Sequence, residues 1–240
     1  MYKRTTMKPN FVLLLFLAFS LSDCSSSKKS TDNSTTVHAV QSGYKSLFDG
    51  QTMNGWRTYQ NKPADSWAVQ DGALYCKGGG GQRADLITAG QYENFDLSLD
   101  WKISPQGNSG ILYMVTEEYP AAYLSGPEYQ IIDDVHFPEH LEEWQKTGAN
   151  YAMDAAPAAA PNPAGEWNHT RIVVNNGHVE HWLNGKKIVD YQLWTNEWKA
   201  KKASGKWKDA AGYGQSKKGH IALQDHGSEA WFKNIEIKEL

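Results

Sequence analysis

The segment Ser125-Gly126-Pro127-Glu128-Tyr129-Gln130-Ile131-Ile132-Asp133-Asp134 carries the residue types best suited to chemistry. As a strand it sends Glu128, Gln130 and Ile132 to one face and Tyr129, Ile131 and Asp133 to the other. A carboxylate and an amide then share a polar face, a pairing that suits proton transfer beside hydroxyl recognition. Gln224 and His226 stand at the same two-residue spacing in Leu223-Gln224-Asp225-His226-Gly227, so both can face one groove. Asp225-His226-Gly227 can equally be a turn in which His226 bonds the backbone. Asn108 and Ser109, ahead of Gly110, can reach ligand hydroxyls at a strand start or only cap that strand.

Other reactive side chains read as structural. His181 alternates with Val179 and Leu183, the pattern of a core face. Cys76 lies in the strand-like run Gly72-Ala73-Leu74-Tyr75-Cys76-Lys77, where a thiol is a small hydrophobe. Asp133, Asp134, His136, Glu139 and His140 combine carboxylates and imidazoles, which can bind a divalent cation. Their spacing matches no strong metal motif, and a surface loop is the favoured reading. No cofactor is expected, and a metal requirement stays open.

The elements that must position these residues are strands joined by tight turns. Asp71-Gly72 joins Ser66–Gln70 to Ala73–Cys76, Asn175-Asn176-Gly177 joins Arg171–Val174 to His178–Leu183, and Asn184-Gly185 leads into Lys186–Val189. Such turns favour Gly and Asn because both accept positive φ. Further strands are predicted over Phe95–Ile103, Gly110–Thr116, Pro127–Asp133, Ile221–Gln224 and Ala230–Lys238. About ten to twelve short strands predict an all-β, two-sheet antiparallel β-sandwich or jelly roll. Pro138–Trp144 and Asn196–Ala203 are candidate short helices. Asp154–Gly165 reads as an extended rim segment. Lys199–Lys218, with seven lysines among Trp198, Trp207 and Tyr213, reads as a solvated lid or surface loop.

The 240 residues carry a net charge of −3, which gives no reason to expect nucleic acid as a partner. Ten Trp and twelve Tyr against seven Phe fit sugar stacking as well as a two-sheet core. At the N-terminus, Lys3, Arg4 and Lys8 precede an apolar run over Phe11–Phe19 that is short for a bilayer, so residues 1–23 read as a signal peptide. Leu21-Ser22-Asp23-Cys24 resembles a bacterial lipobox, with Asp23 in place of the usual small residue. That resemblance implies a lipidated Cys24 and a membrane association through the lipid anchor only. Residues 24–42 are too polar to order themselves and read as a tether, leaving 43–240 as one domain. Ser25-Ser26-Ser27-Lys28-Lys29 lacks the acidic run that often accompanies surface export, which favours the periplasmic side of the outer membrane over the cell surface.

Eight short motifs occur in one order. They begin with Phe48-Asp49-Gly50 with Gly55-Trp56, Trp67–Leu74, Asn94-Phe95-Asp96-Leu97 and Asn108-Ser109-Gly110-Ile111. They continue with Glu128–Asp133, Gly165-Glu166-Trp167-Asn168, Leu183-Asn184-Gly185 and Leu223–Gly227. Together they resemble the bacterial 3-keto-disaccharide hydrolase family over nearly all of Tyr44–Leu240. The resemblance implies a concanavalin-like jelly roll, exported in bacteria that digest glycans, acting on oligosaccharides or glycosides oxidised at C3. Retaining glycosidases pair two carboxylates about 5 Å apart, whereas the face here reads Glu128, Gln130, Ile132. A 3-keto sugar removes that need, because its carbonyl acidifies the C2 proton and allows β-elimination of the group at C1. Glu128 or a groove histidine would then take the proton, Gln130 and Gln224 would bind the keto group or nearby hydroxyls, and His226 would shuttle a proton. The rival expectation is a non-catalytic carbohydrate-binding module. Convergence of Glu128, Gln130, Gln224 and His226 on one concave face separates the two.

Overall fold

The computed structural model describes residues 42–240; the expected signal peptide, Cys24 and the tether as far as residue 41 lie outside the described residues. Thirteen strands and one helix follow in order: β1 (Lys45–Ser46), β2 (Trp56–Thr58), β3 (Trp67–Gln70), β4 (Ala73–Lys77), β5 (Leu86–Thr88), β6 (Phe95–Ile103) and β7 (Asn108–Val115). Then come β8 (Glu128–Ile132), β9 (Asn168–Asn175), β10 (His178–Leu183), β11 (Lys186–Gln192), α1 (Asn196–Ser204), β12 (His220–Leu223) and β13 (Glu229–Glu239). The larger sheet runs β11-β10-β9-β6-β13-β4-β3 with β1 also on β13, and the smaller runs β2-β5-β12-β7-β8. Every pairing is antiparallel.

Alternation explains how the sheets stack. In β6, Phe95, Leu97, Leu99, Trp101 and Ile103 are buried in the main core, and the intervening Asp96 is turned to Arg171, which donates to it through Nε at 2.7 Å and through Nη2. From the smaller sheet, Ile111, Tyr113, Tyr129, Ile131, Ile221 and Leu223 join the same core. The odd residues of β8 thus face inward, and its even residues are left for the outer face. The three expected hairpin turns have both central residues at positive φ: Asp71 and Gly72, Asn176 and Gly177, Asn184 and Gly185. That conformation matches the strand twist, which fixes register in β3–β4 and β9–β10–β11.

His181 is fully buried between the sheets. Its Nδ1–H donates to the Gly148 carbonyl at 2.9 Å, so Nε2 accepts from the Tyr113 hydroxyl at 2.9 Å, and Tyr191 lies 2.6 Å beyond. Desolvation pulls its pKa down to about 4, which keeps the ring neutral. Cys76 is likewise buried, and desolvation pushes its thiol up to about 12, consistent with a packing role.

Two expectations change. Pro138–Trp144 is no helix; a single 3-10 turn at Glu143–Gln145 is closed by reciprocal capping between Glu142 and Gln145. Only Leu141 is buried among neighbouring exposed charges, too little apolar surface to hold a longer helix. Lys199–Lys218, expected as a solvated lid or surface loop, begins in a helix and is packed down through its rings. Most of its lysines are exposed, but Trp198, Trp207 and Tyr213 are buried, with Trp207 stacked on Tyr213 at 4.3 Å. The helix α1 starts where Thr195 accepts from the Trp198 amide at 3.1 Å. The rim segment also packs down, burying Ala156 and bringing Ala158, Ala159 and Ala164 against the core.

Candidate functional site

The outer face of the smaller sheet carries a cleft of about 320 Å³ lined by Asn108, Glu128, Gln130, Gln224 and His226. Register produces this gathering. Strand β8 lies against β7 with Gly110 opposite Gln130 and Leu112 opposite Glu128, and the Gln224 amide donates to the Gly110 carbonyl at 2.9 Å. Residues far apart in the chain therefore present neighbouring side chains. Gly110 makes room for them, since a Cβ there would collide with the Glu128 carboxylate.

Aromatic residues complete the cleft. Tyr123, Tyr151 and Trp207 line it, and the Lys206 ammonium enters it 4.1 Å from the Tyr151 ring centre and 5.1 Å from that of Trp207. Lys206 makes no ion pair with a carboxylate among the described residues. Its positive charge is held by ring faces and left available inside the cleft.

Electrostatics divides the two titratable members. Burial, reinforced by the Asp85 carboxylate, raises Glu128 to about 8, against the opposing pull of Lys206 and the Gln224 amide. His226 is exposed at the cleft mouth, yet partial desolvation, with Arg83 and Lys206 nearby, lowers its pKa below the usual 6.5. At neutral pH the cleft therefore holds a protonated carboxyl beside a neutral imidazole. Environments that push two pKa values apart in this way define an acid and a base.

Three amide oxygens in the cleft, Oδ1 of Asn108, Oε1 of Gln130 and Oε1 of Gln224, are buried without a hydrogen-bond partner. Leaving a buried acceptor unmade costs about 1–3 kcal/mol. Three in one cleft are what a ligand rich in hydroxyl donors would satisfy.

Ser109 stands outside this group. It follows Asn108 on the same strand, so it points to the opposite face, where its hydroxyl donates to the Gln224 carbonyl at 2.8 Å. Ile132 does not line the cleft either; it borders a separate one with Trp101 and Ile103. Asp133 accepts from the Gln106, Val135 and His136 amides, and Asp134 accepts from the Thr147 amide, so both carboxylates organise loops. Among the described residues, the trio spaced to share an ion is His178, Glu180 and Asp190, where the Lys187 ammonium already bonds both carboxylates. Among the described residues no second carboxylate lines the cleft; Asp85 reaches Glu128 only through its field.

Sequence reasoning missed Lys206, Tyr123, Tyr151 and Trp207. The available sign was Lys206-Trp207 side by side, a cation next to a large ring, within a segment read as solvated.

Known proteins share this arrangement of chain and fold. Residues 43–238 match the family described as the 3-keto-alpha-glucoside-1,2-lyase-like domain. A protein named 3-keto-disaccharide hydrolase from Bacteroides thetaiotaomicron is 36% identical over 228 residues, covering 82% of this chain and 79% of that protein. The crystal structure of a candidate glycosyl hydrolase from Parabacteroides distasonis is similar at a TM-score of 0.77 and 44% identity, covering 82% of this chain and 94% of the other. A carbohydrate-binding module from Bacillus subtilis, at 12% identity and a TM-score of 0.52, covers 77% of this chain and 96% of its own, and shares the fold alone. By the extent of the domain match and the identity to the Bacteroides protein, the chain belongs to the 3-keto-alpha-glucoside-1,2-lyase-like domain family.

Proposed function

We propose that the protein cleaves the glycosidic bond of 3-keto-glycosides, 3-keto-disaccharides among them, by elimination followed by hydration. The observation that carries this reading is the cleft itself, in which an acid and a base of separated pKa stand among three unpartnered amide oxygens and a free cation. His226 takes the C2 proton, and negative charge moves onto the C3 oxygen, opposite the Lys206 ammonium, while Oε1 of Gln130 and of Gln224 accept from neighbouring hydroxyls. The C1–O bond then breaks as the C1–C2 double bond forms, and Glu128 protonates the departing oxygen. Water, losing a proton to the Glu128 carboxylate, adds at C1. The His226 imidazolium returns a proton to C2, which restores both residues and makes the net reaction a hydrolysis.

Asn108 holds a sugar hydroxyl in this scheme, and Ser109 supports Gln224 from behind the sheet. No cofactor takes part in the steps as written. A binding module shares the fold, but simple recognition gives no use for a carboxyl held protonated near neutral pH. Turnover of a methyl 3-keto-glucoside in heavy water is expected to give product carrying carbon-bound deuterium at C2 at early times. Product free of deuterium there would sink the elimination route.

The reading places the protein in the cell envelope, at the periplasmic side of the outer membrane, on the strength of the N-terminal pattern ending in Cys24. Cys24→Ser is expected to move the protein from the membrane fraction to the soluble one. An unchanged distribution would remove the lipid anchor from the account.

A further inference from the structure

A second polar cleft, of about 220 Å³, is lined in part by Tyr59, Lys62, Arg83, Asp85, Ala121 and Asp225. It shares a wall with the first, because Asp225 faces the one and its neighbour His226 faces the other. The charge of Arg83 acts on His226 and that of Asp85 on Glu128, so groups of the second cleft lie within electrostatic reach of both members of the acid–base pair. The wall is braced from inside: the Asp225 amide donates to Asp85 Oδ1 at 2.9 Å, and Asp225 Oδ1 accepts from the Gly227 amide at 3.1 Å.

What lines this cleft defines what could enter it. Arg83 is exposed, and its guanidinium makes neither a hydrogen bond nor an ion pair with the described residues. Lys62 is anchored, donating to the Pro120 carbonyl at 2.8 Å with its ammonium 5.3 Å from the Tyr59 ring centre. Two cations therefore face two carboxylates. Such a balance favours neither an anionic nor a cationic ligand. Donors and acceptors side by side around a mostly polar surface suit a neutral polyol, and a guanidinium fork can donate to two neighbouring hydroxyls at once. The charges of Arg83 and Asp85 act on the acid–base pair from a distance, but no group of the second cleft lines the first, so their hydrogen-bonding groups stay free of a ring held there.

We infer that the second cleft seats the departing sugar of a disaccharide substrate, with Arg83 donating to a vicinal hydroxyl pair and Asp85 and Asp225 accepting from others. This deepens the proposed reaction and rests on it. It also states a preference that the first cleft alone does not contain: a neutral sugar leaving group is held better than an alkyl group of no hydrogen-bonding capacity.

The test compares kcat/KM on a 3-keto-disaccharide with kcat/KM on methyl 3-keto-glucoside, whose leaving group is too small to reach the second cleft. Ala121→Trp fills the cleft, and Arg83→Gln removes the fork; each is expected to lower the ratio of the two values about tenfold or more, with the loss on the disaccharide appearing mainly in KM. Because Arg83 also influences His226, the ratio is the readout, and Ala121→Trp is the variant free of that coupling. A ratio unchanged in both variants, whether both substrates suffer equally or neither does, overturns the subsite while leaving the reaction intact. Wild-type protein that cleaves neither substrate overturns the reaction, and the subsite with it.

Discussion

Glu128→Gln is expected to lose about a thousandfold in kcat/KM on a 3-keto-glycoside and, at pH 8, to be more stable than the wild type by about 4 kcal/mol. Both effects come from one carboxyl. In the folded chain burial raises Glu128 from 4.5 to about 8, so between those values the unfolded chain releases a proton that the folded one retains. Stability from this residue is therefore fully present below pH 4.5 and is lost as pH rises through 8. Glutamine keeps the shape without ionising. Urea unfolding of both proteins at pH 8 and pH 4.5 measures the gap, which should close at the lower pH. A variant less stable than the wild type at pH 8 would mean that Glu128 is not the burdened group described here. The rate carries the same signature: with Glu128 as the acid, wild-type kcat/KM falls above about pH 8. A limb that rises there instead would exchange the roles and make Glu128 the base.

Acid should weaken the fold through His181, by about 3 kcal/mol between pH 7 and pH 4. Its folded pKa is depressed from 6.5 to about 4, so across that window the unfolded chain takes up a proton that the buried ring cannot. Stability is present above 6.5 and drains as pH falls toward 4. Protonation would also place a donor where Nε2 now accepts from Tyr113. The slope opposes that of Glu128, so the wild-type curve alone does not isolate either residue, and the informative quantity is a difference. His181→Asn, compared with wild type by urea unfolding at several pH values, should lose stability at pH 7 through its altered packing but show a shallower decline in acid. Parallel curves across pH 4–6.5 would show that another group titrates.

Much of the cleft could be read from the sequence because it lies on regular strands. A period of two is enough to put Glu128 with Gln130, and the same rule separates Asn108 from Ser109. The register that brings Gln224 beside Gly110 joins residues over a hundred positions apart, and no local pattern encodes it. The strands β1, β2 and β5 leave no signature in the sequence, because two or three residues show no period and Leu86, Ile87 and Thr88 are all buried. The aromatic wall was obscured for another reason. Tyr123, Tyr151 and Trp207 come from irregular segments whose direction is set by packing, as when Trp207 stacks on Tyr213. Charge counting also gives undue weight to the exposed lysines around Trp207, whose own ring is buried.

The strand formed by Glu229–Glu239 is not at an edge. Strand β13 lies between β6 and β4 and also carries β1, with Lys45 opposite Ile237. During synthesis, the hairpins β3–β4 and β9–β10–β11 can close as soon as they emerge, since each needs only its own neighbourhood. The larger sheet cannot, because its two parts have no seam until residues 229–239 exist. Completion thus waits for residues 229–239, and a chain lacking them would keep every cleft residue named above yet lack the strand that joins the halves of its scaffold.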